Sequence, residues 1–192
     1  MNKYVAVLLF FVACSVFSPA QKSKDKSQRP SPPAQAQCKF SDGKAITVDY
    51  SSPRAKGRKI FGKAETEGSS STPAAPIVPF GEVWCTGANE ATTFDTTANL
   101  TAGNLDIPAG NYTIFTIPNQ DKWTLIVNKK TGEWGIPYKY ESDELGRTDM
   151  TRSDTSAPVE NFTISFDQAG SACTMNIMWE NTKASAQFSE AK

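Results

Sequence analysis

The sequence predicts an all-β fold, an antiparallel β-sandwich of jelly-roll or Greek-key type, preceded by a signal peptide and a disordered linker. Three observations carry this. First, Phe162-Thr163-Ile164-Ser165-Phe166 alternates apolar and polar residues, and Met175, Ile177 and Trp179 repeat the pattern. A period of two puts one set of side chains on one face of a strand. Second, Tyr112-Thr113-Ile114-Phe115-Thr116-Ile117 and Trp123-Thr124-Leu125-Ile126-Val127 are dense in β-branched and aromatic residues and stand one turn apart. Such runs make central, paired strands. Third, turn signals recur at short intervals, and no stretch of useful length has helical periodicity.

The first twenty residues read as a signal peptide. Lys3 supplies the positive start, residues 4–17 are apolar but too short to span a bilayer, and Ser18-Pro19-Ala20 offers small residues at the cleavage site. A second reading takes Phe11-Val12-Ala13-Cys14 as a lipoprotein box, which would leave a lipid-anchored Cys14. Either route exports the chain. No other segment is long and apolar enough for a transmembrane helix. Residues 21–36, rich in Lys, Ser, Pro, Gln and Ala, are expected to be a disordered tether, because they cannot bury a face. The domain is then expected over residues 37–190. Cleavage after Ala20 leaves Cys38, Cys85 and Cys173 in an oxidising compartment, so one pair forms and one thiol is left over. Cys38 and Cys173 lie on strand-like segments flanking the core and are the expected pair, although spacing alone leaves the connectivity open.

Along the domain, Cys38–Phe40 and Ala45–Tyr50 flank the Ser41-Asp42-Gly43 turn and read as a hairpin. Arg54-Ala55-Lys56-Gly57-Arg58-Lys59 places four cations in six residues. This is either a solvated basic loop or a basic wall beside a ligand pocket. Residues 64–76 are Ser/Thr/Pro/Ala-rich and read as a flexible insertion. Residues 83–93, Val-Trp-Cys-Thr-Gly-Ala-Asn-Glu-Ala-Thr-Thr, read as strand, tight turn, strand. Residues 94–98 continue as strand, and 100–107 as a short hairpin about Gly103-Asn104. The segment 138–149 is polar and mixed, and 184–188 reads as a last edge strand.

Composition removes whole classes of chemistry. There is no histidine, so His-based triads, metal sites and proton shuttles are excluded. Twenty cations balance twenty acids, giving no electrostatic footprint for nucleic acid. Cys85 has no histidine to activate it as a nucleophile. What remains is a polar site around Asn89 and Glu90, with Lys56 and Arg58 nearby. Among the tryptophans, Trp123 and Trp179 sit within apolar alternation and read as core. Trp84 and Trp134 adjoin glycines and polar turns and are the candidates for stacking on a sugar ring. Against this stands the architectural reading, in which Asn89 and Glu90 cap a turn and satisfy buried backbone donors. A glycosidase-like reading needs a second carboxylate at defined distance from Glu90; Asp49 and Glu180 are the candidates.

Several stretches, in order, resemble the family of secreted bacterial proteins known as domain of unknown function 2911. They are Ile46-Thr47-Val48-Asp49-Tyr50-Ser51-Ser52-Pro53, Lys56-Gly57-Arg58, Val83-Trp84 with the Thr86-Gly87-Ala88-Asn89-Glu90-Ala91-Thr92-Thr93 run, Pro108-Ala109-Gly110-Asn111-Tyr112-Thr113-Ile114-Phe115-Thr116-Ile117-Pro118, Trp123-Thr124-Leu125-Ile126, Trp134-Gly135, Asn161-Phe162-Thr163-Ile164 and Trp179-Glu180-Asn181-Thr182. The resemblance implies an exported, mostly β domain and carries no activity with it. Ser52 and Cys85 stand where the family pattern often has arginine. The function expected is a non-catalytic exported binding module for a small polar or carbohydrate ligand, using no cofactor. The ligand would be held by Trp84, Asn89, Glu90, Lys56, Arg58 and Trp134. The alternatives are a carboxylate-dependent hydrolase acting outside the cytoplasm and a purely structural envelope protein.

Overall fold

The computed structural model describes residues 25–64 and 75–191. The expected signal peptide, Cys14, and most of the 64–76 insertion lie outside the described residues. Eleven strands follow one another: β1 (Pro33–Lys39), β2 (Ala45–Ser51), β3 (Phe61–Gly62), β4 (Val78–Pro79), β5 (Thr92–Thr96), β6 (Leu100–Ala102), β7 (Leu105–Ile107), β8 (Gly110–Ile117), β9 (Lys122–Asn128), β10 (Glu144–Ala169) and β11 (Ala172–Glu190). Nine form one large antiparallel sheet in the order β1-β2-β5-β8-β9-β10-β11-β6-β7, and β3 and β4 make a small parallel pair. The all-β antiparallel architecture is present, and the described residues contain no α-helix. No helix among them is therefore long and apolar enough to cross a membrane.

The sheet is carried around its core by two long strands. β10 pairs with β9 through its first third and with β11 further on, from Thr151 opposite Ser185 to Ala169 opposite Ala172. Register shifts between Asp154 and Val159 and between Val159 and Thr163 bend it, as bulges do. The bend returns its second half to the end of β2. There Ala55 donates to the Glu160 carbonyl and Phe162 to the Pro53 carbonyl, both at 2.8 Å, and Arg54 bridges Asn161. Ser52 Oγ donates to the Phe162 carbonyl at 2.7 Å.

Inside lies an aromatic cluster. Trp84 stacks on Trp179 with ring centres 6.0 Å apart, and meets Phe162 edge-on at 5.1 Å. Phe61 of β3 closes the cluster against Trp123 at 5.0 Å. The disulfide joins Cys38 to Cys173, tying β1 to β11 across 135 residues of chain.

Four sequence expectations change. The tether boundary moves back, because Pro33–Ala36 already belong to β1, with Ala36 and Cys38 inward and Gln35 and Gln37 outward. Residues 85–90 are an irregular loop rather than a strand and tight turn, since Thr86 and Asn89 both adopt left-handed backbone at φ 56° and 62°. The polar run 138–149 contains the start of β10. Residues 184–188 are no edge, because β11 continues through them between β10 and β6.

Candidate functional site

The Thr86–Thr93 loop is built into the end of the core. Trp84 exchanges backbone hydrogen bonds with Thr116, and its indole N–H donates to the Gly87 carbonyl at 3.0 Å. Thr86 is fully buried, its hydroxyl 3.1 Å from that of Thr116. Thr92 Oγ1 donates to the Thr86 carbonyl at 2.7 Å. A Cβ on Gly87 would stand 3.1 Å from both the Ser51 carbonyl oxygen and Thr92 Oγ1, so only glycine fits without displacement. Trp84 is thus packed into the core at 8% exposure, which leaves little of its ring for stacking on a sugar. Cys85 beside it is buried, and burial pushes its thiol up to about 11.

Asn89 and Glu90 point away from this packing and hold the N-terminal segment. Asn89 Nδ2 donates to the Ser31 carbonyl at 3.2 Å. Arg29 Nη1 donates to Glu90 Oε2 at 2.7 Å, and Lys26 Nζ lies 3.1 Å from Oε1. The Arg29 hydrogen bond, above all, lowers the Glu90 carboxyl to about 2. A carboxylate so stabilised as its anion is a weak base near neutral pH. Glu90 is bound to its own chain.

The clasped segment is one wall of a second feature. Pro30 and Ser31 line an open recess of about 290 Å³ with Arg54, Lys56 and Arg58. The basic stretch is shaped by a tight turn, in which Arg58 N–H donates to the Ala55 carbonyl at 3.0 Å. Lys56 and Gly57 are both left-handed there, at φ 49° and 67°, as a type I′ turn requires. The Lys56 amide is taken up by Glu160 Oε1 at 2.9 Å. Backbone carbonyls then orient the guanidinium groups. Arg54 Nη1 donates to the Ser52 carbonyl at 2.8 Å and Ser52 Oγ at 2.9 Å. Arg58 donates to the carbonyls of Ala55 and Arg54. Among the described residues, none of the charged side chains of Arg54, Lys56 and Arg58 is paired with a carboxylate.

Trp134 is 60% exposed, the most open of the large apolar side chains described. Its segment rests on the motif loop: Ala91 donates to the Glu133 carbonyl, and a Cβ on Gly135 would stand 3.0 Å from the Cβ atoms of Cys85 and Ala91. The structure therefore joins Asn89, Glu90, Lys56 and Arg58 through the N-terminal segment, buries Trp84, and leaves Trp134 exposed beside the motif loop. Of the proposed second carboxylates, Asp49 lines a small pocket with Glu90, whereas Glu180 lines a different one with Arg58. Arg29 and Arg54 were not singled out from sequence. Arg29 sits in a Pro/Ser-rich run that reads as tether, and Arg54 is one cation in a basic loop.

Among the described residues no group of three or more Cys, Asp or Glu side chains could hold a metal ion. No curated protein and no solved structure matches the chain. A family model does, over residues 31–188, from the segment that Asn89 clasps into the last residues of β11. The chain belongs to the family described as protein of unknown function DUF2911.

Proposed function

We propose that this chain is an exported, non-catalytic binding module whose ligand is small, polar and negatively charged, and that it binds at the recess of Arg54, Lys56 and Arg58. A saccharide bearing a carboxylate or phosphate combines these properties. One observation carries the reading: three cations line one recess, and among the described residues none of their side chains forms a salt bridge. Two of them are guanidinium groups held on backbone carbonyls, leaving other N–H groups for a planar anion. Asn89 and Glu90 serve this site indirectly, by holding the Pro30-Ser31 wall in place. Export is supported by the pattern of the first twenty residues and by the Cys38–Cys173 disulfide.

The test is titration calorimetry of the exported chain with glucuronate, galacturonate, glucose 6-phosphate and citrate, against neutral glucose. Saturable binding of at least one anion, absent for glucose and lost in Arg54→Gln/Arg58→Gln, is expected. Anion binding that survives the double substitution, or no binding by any of the four anions, would remove the proposal.

A further inference from the structure

A larger cleft shares no residue with that recess. It arises where two strands of the main sheet part. On one side β10 leaves β11 at the Thr151–Ser185 pair, and its earlier residues ladder with β9. On the other, β11 runs on to pair with β6 at Ser189 and Thr101. Between Arg147–Asp149 and Ala186–Ser189 the sheet opens into a cleft of about 570 Å³. That is within the ~300–1,000 Å³ range of small-molecule sites.

At two glycines the walls of the cleft approach one another closely. A Cβ on Gly103, in the β6–β7 turn, would stand 2.7 Å from Thr148 Oγ1. One on Gly146 of β10 would stand 2.5 Å from Leu105 Cδ1 of β7. The β6–β7 hairpin is pressed against β10 at the cleft, while buried Ala102 and Ala186 contribute small apolar side chains to its lining.

The lining has a particular chemistry. Its two charged groups are already paired: Arg147 donates twice to Glu144 at 2.8 Å, and Asp149 holds Lys122 at 3.0 Å. The uncharged polar side chains are in the opposite state. Thr101, Thr124, Thr148, Gln187 and Ser189 line the cleft, and none hydrogen-bonds to another described residue through its side chain. Elsewhere in this sheet some hydroxyls are taken up locally, as Thr92 is by Thr86 and Thr96 by Ala98, whereas those of Thr93 and Thr113 are buried without a partner among the described residues. Hydroxyl and amide groups with charge already neutralised suit a ligand that is itself neutral and rich in hydroxyls.

We infer that the cleft between β10 and β11 is a second binding site, taking a neutral saccharide of one or two rings. Hydroxyls of the sugar exchange hydrogen bonds with Thr101, Thr124, Thr148, Gln187 and Ser189. The site is independent of the cationic recess, and each can fail without the other.

The test is an amide-resolved NMR titration of the exported chain with maltose, cellobiose, lactose and N,N′-diacetylchitobiose. With at least one sugar, saturable shifts are expected at Thr101, Thr124, Thr148 and Gln187. Thr124→Trp fills the cleft from β9 and should weaken that binding at least about tenfold. Gln187→Trp, at an exposed position, does the same from β11 and decides alone if the first variant does not fold. Arg58→Gln should leave sugar binding unchanged. The inference is overturned if no sugar shifts these amides saturably, if the shifts map elsewhere, or if a folded plugged variant binds as tightly as the parent.

Discussion

Gly87 has room for a hydrogen and little else, and that constraint explains much of the motif around it. Its neighbours Ser51 and Thr92 are strand residues that cannot retreat. We expect Gly87→Ala to cost about 1–3 kcal/mol, as overpacking of a close contact does, measured by chemical denaturation. Trp84→Ala should cost about 3–5 kcal/mol, since it empties the middle of the aromatic cluster. If Trp84 were a ligand platform, its removal would spare stability and abolish binding. Cys85 gives a third check. With its thiol pushed up to about 11 and its side chain buried, it should react with iodoacetamide only as fast as the protein unfolds. Glu90 gives a fourth. Its folded pKa of about 2 lies below the ordinary 4.5, so its pairs with Arg29 and Lys26 contribute fully above about 4.5. That contribution is lost as pH falls toward 2. Exposure of the carboxylate keeps it to about 0.5–1 kcal/mol. The stability difference between parent and Glu90→Gln should be flat down to about pH 4.5 and shrink below it. The polar pair was legible in the sequence as a pair of interest, but its partners were not. Nothing local to Asn89-Glu90 identifies Arg29 or Ser31, about sixty residues earlier.

The elements with the plainest period of two were read correctly. The Phe162–Phe166 part of β10 and the Met175–Trp179 part of β11 stand where alternation puts them, and β8 and β9 where dense runs of β-branched and aromatic residues do. Two kinds of strand escaped. β1 begins at Pro33, where Ala34, Ala36 and Cys38 alternate with Gln35 and Gln37. The period was there to be found, but alanine carries too little apolar contrast to outweigh the surrounding Pro and Gln. β10 hid for the opposite reason. Its stretch from Thr151 to Asn161 crosses the bulges and buries no side chain fully, so it has no apolar face to read. Strand pairing there comes from β11, a long-range partner that no local window contains. The Cys38–Cys173 bridge ties β1 to the start of β11, locking it onto the far end of the β10–β11 pair. Replacing both cysteines by serine should lower stability by about 2–5 kcal/mol, given a loop of 135 residues, and a melting curve would show it.

At the scale of the whole molecule, the N-terminal segment, the motif loop and the basic turn form one assembly. The motif loop is anchored in the core. Asn89 and Glu90 reach from it to the segment of Lys26–Ser31, and that segment walls the cationic recess. The all-β class was legible because many strands contribute to it. This assembly was not, because it depends on how β10 bends back to the end of β2 and sets Pro53–Ala55 beside Glu160–Phe162. If the clasp works as described, Glu90→Gln should speed tryptic cleavage after Lys26 without lowering the melting temperature by more than a few degrees. The measurement that bears most directly on the functional reading is anion affinity compared across Glu90→Gln and Arg54→Gln/Arg58→Gln. We expect Glu90→Gln to weaken binding only modestly, because it loosens one wall, and the arginine pair to abolish it. Loss of all binding in Glu90→Gln with full binding in the arginine variant would place the ligand on the motif loop and contradict the cationic recess as the site.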